Sequence, residues 1–513
     1  MNKKLLKEID FIQGLISSQE YDNALKEIEG SQKIRGTLYE GVFLIWIGSN
    51  TLSNQLLNKG IKVTEKNICK EGIDPDNKIQ AHYNLGNGYS SLYEIALSSG
   101  EDLYSIEKLW KKAVKNYRSV PYDHDFYSIA QTNLANTMDH VGRPIEAIAH
   151  YEEALKKDSS HAMAAANLAL AMENMAGISD YSNAYLIYSY QTYNRALADK
   201  ESILKIGGQK AYDMFVSHRD KIKSFFENNG QSKLLLLDLT HPYRDDSTQS
   251  DSVRFYTNFC IEHDLYLNLH LHDRNSDASV GDPIVVKPIT SIKDNKSTQE
   301  MFFRLNEIKE SYMTARYLLV QSQYTHKETS DISNQTTLIN NADYSASNLY
   351  VGLLKSSYKE SIGVLDKIAI LINFYLKLGH KENDPKLDYR KVWYSGLDKT
   401  QGINTKVVKR GGRYLYGAKS LCDEIASLDE GIRNSLTHRY LRIYRVISGP
   451  PDTYTFEELV DKTIKIHYLV KCTIISLANF INQVEGNKLH AAKMSGKIVP
   501  PMPMWSDQML DVW

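Results

Sequence analysis

At 513 residues, with 42% hydrophobic and 24% charged content, the chain is long enough for about two to four domains, and its ordinary globular composition excludes wholesale disorder. Its 61 Lys plus Arg against 62 Asp plus Glu leave a net charge of −1, so any RNA contact has to come from a local patch. The four cysteines, Cys69, Cys260, Cys422 and Cys472, form no CxxC pair, which argues against a zinc site or a disulfide framework and for a reducing, cytoplasmic setting.

The N-terminus opens with basic residues, but Glu8 and Asp10 interrupt any signal-peptide core, and no apolar run of about 20 residues suggests a membrane span. Residues 1–225 read as helix after helix. In QTNLANTMDHVGRPIEAIAHYEEALKKD, 131–158, Asn133, Leu134 and Ala135 open one helix, Gly142 ends it, and Ala147, Tyr151 and Ala154 line a second. Related pairs occur at 81–89 with 106–114 and at 164–172 with 181–193, while 21–30 looks like half of a decayed unit. Small residues at fixed places let antiparallel helices approach closely, and the pattern resembles the tetratricopeptide (TPR) repeat of about 34 residues. That resemblance implies a superhelix whose groove takes a protein or peptide ligand. His82, His140, His150 and His161 are expected to be structural or surface residues of it.

FENNGQSKL, 226–234, reads as a turn or linker, and the apolar run 234–244, ended by Pro242, as a buried strand or extended segment with His241 in a turn. The stretch 263–282 concentrates His263, Asp264, His270, His272, Asp273, Asp277 and Asp282, and alternation puts His270 and His272 on one face of an extended chain. Two imidazoles and a carboxylate could hold a metal, but no ligand spacing is diagnostic. No metal is expected there; the segment is read as a site rim or a docking element. Apolar residues at helical spacing predict long helices over 298–320 and 345–379, with a polar connection at 324–343.

Residues 380–412 are loop-rich and end in a basic patch of Lys406, Lys409, Arg410 and Arg413. The next stretch, LCDEIASLDEGIRNSLTHRYLRIYRV, 421–446, reads as one helix, because Leu428, Ile432, Leu436, Tyr440, Ile443 and Ile447 recur at threes and fours, with Gly431 its single weak residue. Asn434 and His438, four apart, share a face of that helix, and Arg433 lies at its edge. Histidine titrates near pH 6.5, and arginine offers a planar fork to phosphate oxygens. The trio could therefore take a proton from a ribose 2′-hydroxyl and stabilise a pentavalent phosphate. Arg439, Arg442 and Arg445 recur by threes beyond it and, with the upstream patch, could guide RNA. The segment 455–485 predicts a last strong helix with a broad apolar surface, and the proline-bearing tail 491–513 an extended end.

The R-N-x-x-x-H spacing of Arg433, Asn434 and His438, on a helix late in a helical C-terminal half, resembles the R-x(4–6)-H motif of HEPN-superfamily ribonucleases and toxins. The flanks DLYLNLHLHD (264–273), NEIKESYMTARYLL (306–319) and LDKIAILINFYLKLG (365–379) resemble the branch of that superfamily with N-terminal TPR repeats. The expectation is an all-α chain: a TPR-like domain at 1–225, a linker and loop segment at 226–297, a HEPN-like bundle at 298–490 and a tail at 491–513. The resemblance implies a metal-independent, cofactor-free endoribonuclease acting on RNA, including tRNA, as a homodimer, and leaving 2′,3′-cyclic phosphate ends. Arg433, Asn434 and His438 would be catalytic, and Lys406, Lys409, Arg410, Arg413, Arg439 and Arg442 RNA-binding. Regulation by the TPR half in anti-phage or toxin–antitoxin defence follows by analogy. Two other classes stay open, a scaffold with a non-catalytic bundle and a protein that binds RNA or nucleotide without cutting it.

Overall fold

A computed structural model describes residues 3–179, 182–237, 249–268, 280–287, 295–338, 345–429, 431–444 and 453–495; the side chains of Lys3, Asn295 and His438 lie outside that description. The chain divides into unit 1, Met1–Ala171 with Ser189–Gly230, and unit 2, Met172–Tyr188 with Gln231–Trp513. Its described residues are overwhelmingly α-helical.

Unit 1 is a succession of helical hairpins: α1 (Lys3–Ser17) with α2 (Tyr21–Gly30), α3 (Leu38–Thr51) with α4 (Asn54–Ile68), α5 (Pro75–Ser98) with α6 (Glu107–Tyr117), and α7 (Tyr127–His140) with α8 (Pro144–Lys157). Helices α9 (Ala162–Ala176), α10 (Ser182–Ala198) and α11 (Lys200–Asn228) follow, and Met172–Tyr188, the end of α9 and the start of α10, belongs to unit 2. Glycine sets how closely these helices pack. A Cβ on Gly60 would stand 2.8 Å from the Gly41 carbonyl oxygen, and one on Gly86 would stand 2.5 Å from the Tyr117 ring. In α7 and α8, Leu134, Ala135, Ala147, Tyr151 and Ala154 are all buried. Of the histidines, His150 Nδ1–H donates to Gln131 Oε1 (2.8 Å), and burial together with Arg118 and Arg143 pushes its pKa down to about 4.

Unit 2 is built from α12 (Asp251–Glu262), α13 (Asn295–Gln323), α14 (Lys327–Asn334), α15 (Leu349–Leu376), α16 (Thr405–Arg410), α17 (Arg413–Leu428), α18 (Ile432–His438) and α19 (Phe456–Met494). Helix α15 packs on α13, α19 covers both, and α17 packs on α19. A short parallel pair, β1 (Ile443–Tyr444) with β2 (Tyr454–Thr455), precedes α19. Thr455 and Glu458 form a reciprocal capping box at the start of α19. This 39-residue helix has an 18-residue window apolar enough to cross a bilayer (mean hydropathy 1.3), yet 83% of that window is buried inside the protein, and packing accounts for its composition. The segment expected as a linker, 226–297, contains α12, and 324–343 contains α14. His241, His270, His272, Asp273, Asp277, Arg445 and the tail from residue 496 lie outside the described residues.

The two described aspartates of the His/Asp-rich stretch, Asp264 and Asp282, are paired with buried cations. Arg316, 3% exposed, donates Nη1 and Nη2 to the two Asp282 oxygens (2.9 and 2.8 Å), Nη1 to the Leu265 carbonyl (3.1 Å) and Nε to Tyr256 Oη (2.7 Å). Lys471, fully buried on α19, donates to Asp264 Oδ1 (2.6 Å). Burial works to raise the Asp282 carboxyl, but Arg316 and the Leu267 N–H outweigh it and hold its pKa below the ordinary value. Asp264 and Asp282 thus pin the chain at 264–268 and at 280–287 to the bundle, and among the described residues no cluster of three metal-ligating side chains occurs.

His467, fully buried, shares a hydrogen bond with Ser361 Oγ (3.1 Å) and with the Thr463 carbonyl (2.9 Å), and burial lowers its pKa to about 4. The unfolded chain takes up this proton near pH 6.5 and the folded chain only near 4, so stability is lost as pH drops between those values, by up to about 3 kcal/mol from this group. His467→Gln is expected to flatten that part of a urea-unfolding profile against pH. Asp282→Asn leaves Arg316 buried without its anion and is expected to cost about 3 kcal/mol or more in the same assay at pH 7.

Candidate functional site

The stretch 421–446 is not one helix. Helix α17 ends at Leu428, Gly431 adopts φ +81°, α18 runs only from Ile432 to His438, and Arg439 is extended (φ −141°, ψ −158°). The periodicity that suggests a continuous helix takes no account of a left-handed residue, a conformation that glycine enters without the Cβ penalty of other residues. Isoleucine 432 and Ile443 are buried, but Tyr440, expected on the apolar stripe, is 98% exposed. Arg439 and Arg442 therefore do not extend a helical stripe. Both are exposed in the segment leading to β1, where Lys355 of α15 donates to the Leu441 carbonyl (2.7 Å).

The break is held by Asp429, 1% exposed. One of its oxygens accepts from Arg390 Nη2 (2.7 Å), and the other from Tyr358 Oη (3.2 Å) and the Arg433 backbone N–H (3.0 Å). The last of these bonds satisfies an otherwise unpaired donor of α18's first turn. Arg433 in turn donates Nη2 to Asp366 Oδ2 on α15 (2.5 Å), with about a third of its side chain exposed. Burial raises the Asp366 carboxyl above the ordinary range even though Arg433 and the Tyr389 N–H pull it down. Asn434 is exposed beside Arg433. His438 closes α18 one turn further along, so its Cα lies on the Asn434 face. This arrangement presents a guanidinium held at a fixed point, a solvent-facing carboxamide and a histidine position on one short helix.

Sequence reasoning overlooked Asp366, Asp429, Arg390 and Tyr358. Asp429 and Asp366 stand 4 and 67 residues from the arginine they hold, and no local spacing links Asp366 to it. The one available signal is that Asp366 is the sole acid within the largely apolar run 362–376.

The basic patch is divided. Lys406 and Arg410 donate to the Lys377 and Leu376 carbonyls at the C-terminus of α15, so they cap that helix and complement its dipole. Lys409 is exposed, and Arg413 lies over the Tyr414 ring, 4.8 Å from its centroid. Leu376 is ten residues beyond Asp366, roughly 15 Å along the helix axis. The patch is thus displaced from Arg433 rather than beside it.

Residues 292–484 match the family described as LA2681-like HEPN, which places this segment in the HEPN superfamily. No curated protein and no solved structure matches the chain.

Two aspartates near the site are expected to behave differently. Asp429→Asn removes the anion from a buried, triply hydrogen-bonded position and should cost about 2–4 kcal/mol in urea unfolding. Asp366→Asn breaks a partly exposed pair and should cost under about 1 kcal/mol.

Proposed function

We propose that the HEPN domain at 292–484 is a metal-independent endoribonuclease whose chemistry is carried by Arg433, Asn434 and His438. The observation that carries this reading is the fixed Arg433 guanidinium, about a third exposed on α18 beside solvent-facing Asn434, with His438 four residues beyond Asn434. The superfamily is broadly one of ribonucleases, and the residue types fit the reaction. His438 takes the 2′-hydroxyl proton as that oxygen attacks the adjacent phosphorus, and the 5′-oxygen leaves with a proton, giving a 2′,3′-cyclic phosphate and a 5′-hydroxyl. Arg433 stabilises charge on the pentavalent phosphate, and Asn434 orients the phosphate or the imidazole. Lys409, Arg439 and Arg442 are the exposed cations proposed to meet the RNA backbone, tRNA included.

In this reading a second copy of the domain brings a second Arg433, Asn434 and His438 across a two-fold axis. The N-terminal hairpins, as a TPR-type sensor of a protein or peptide, restrain activity in the cytosol, in keeping with a toxin or anti-phage role. The ion pair to Asp366 favours a resting state in which Arg433 is committed to a protein carboxylate and must exchange it for phosphate.

Wild type and His438→Ala, each incubated with total RNA and with tRNA in EDTA, test the proposal by the ends of the fragments. Cyclic phosphate ends from wild type, with a loss of about 10²-fold or more in the variant, are expected. Equal cutting by both would refute the assignment of His438.

A further inference from the structure

Unit 2 has a groove of about 500 Å³ between the end of α9, the start of α17 and the outer turns of α19, room enough for a large anchoring side chain. Its surface is mostly apolar, with Ile178, Tyr414 and Leu489 in the wall and two glycines, Gly177 and Gly486, that add no side chain to it. Gly486 lies inside α19, where glycine costs about 1 kcal/mol relative to alanine. Neither glycine has a positive φ, and nothing stands within 4 Å of where a Cβ would be on either. What their missing side chains preserve is the volume of the groove.

The polar groups of the rim are largely committed. Asn482 accepts from the Lys287 backbone N–H (2.7 Å) and donates to the Val285 carbonyl (3.1 Å), Glu485 accepts from Tyr375 and Lys488, and Arg413 lies over the Tyr414 ring. Lys287 and Gln483 have exposed side chains there.

The course of α19 points to what fills this groove. Its last turns are exposed, Met494 78% so, and the helix stops there. Ser495 and Gly496 follow, and glycine just past a helix end is the residue that most readily lets a chain turn back. Gly486 and Leu489 lie eight and five positions before Met494, about 12 and 7.5 Å along the helix axis, whereas the ten residues 496–505 span up to about 33 Å. Those residues end in IVPPMPMW, and three prolines lower the entropy that an extended segment loses on docking. Trp110 and Trp393 are buried and Trp46 half-buried, so the chain otherwise places its described tryptophans in packed surroundings. Beyond residue 499 the sequence holds Asp507 and Asp511 and no lysine or arginine, opposite in sign to Lys287.

We infer that segment 498–505 of the same chain turns back along α19 and seats the Trp505 indole in this groove, against Tyr414 and over Gly486. Gln483 offers its carboxamide to the backbone carbonyls of the segment, and Lys287 meets Asp507. The tether holds the effective concentration of the segment in the millimolar range, so a modest contact area suffices. So seated, the tail clasps the start of α17 to α19. The inference is independent of the ribonuclease reading, since it uses none of Arg433, Asn434 and His438.

The photoreactive residue p-benzoylphenylalanine, placed at position 505 of the full-length protein, tests it by the sites of attachment after irradiation and digestion. Cross-links within one chain to Tyr414, Gln483, Gly486 or Leu489 are expected, their yield reduced at least tenfold by Gly486→Leu, which fills the groove from an exposed helical position. Leu489→Asp is the second variant, expected to act in the same direction should Gly486→Leu fail to fold by circular dichroism. The inference is overturned if no cross-link forms, if attachment maps elsewhere in the chain, or if a folded groove variant leaves the yield unchanged. Cross-links that join two chains give the groove to a second copy's tail and overturn it as well.

Discussion

One buried carboxylate decides where the candidate site exists. Asp429 stands where α17 stops, and it holds Arg390, Tyr358 and the first turn of α18 at once. A carboxylate out of water is tolerated only when its lone pairs are occupied, so the three donors and the left-handed backbone at Gly431 define each other. With Asp429 fixed, the Arg433 side chain reaches Asp366 on α15. Lys355, eleven residues before Asp366 and therefore on the same side of α15, secures the chain again at Leu441. The segment bearing Arg433, Asn434 and His438 is thus strapped at both ends to the best-buried helices of unit 2.

The same principle governs two further ion pairs of the bundle. Arg316 and Lys471 are cations buried on core helices, and their counter-ions Asp282 and Asp264 come from irregular chain flanking α12 and α13. Neither ion pair is expected to add much net stability, because desolvation offsets much of the attraction. What they specify is register: the described chain around Asp264 and around Asp282 is fixed in place because each acid must meet a particular cation.

How far the sequence was legible follows from the range of the interactions involved. Repetition of apolar residues at threes and fours is local, and it located α13, α15 and the hairpin of α7 with α8 within a few residues of their observed limits, and the start but not the end of α19, which continues nine residues past the expected 485. The same periodicity joined α17, α18 and β1 into one helix, since a left-handed glycine and a tether to a distant aspartate leave the pattern of side chains unchanged. Charge was read by clustering, which grouped Lys406, Lys409, Arg410 and Arg413. Partner assignment, which only the fold supplies, separates two helix caps from one exposed lysine and one arginine laid over the Tyr414 ring. Likewise Asp264 and Asp282, grouped with nearby histidines in sequence, answer to residues 207 and 34 positions away.

Helix α18 has seven residues, under two turns, and a helix that short has no lifetime of its own in water. Its order is borrowed from α15 through a few polar anchors, while α13, α15 and α19 carry large apolar faces. The bundle and the site therefore belong to different cooperative units, and local opening of α18 costs far less than global unfolding. On warming, the arrangement of Arg433, Asn434 and His438 dissolves while the core remains folded, so a protein intact by bulk spectroscopy has already lost its candidate active surface.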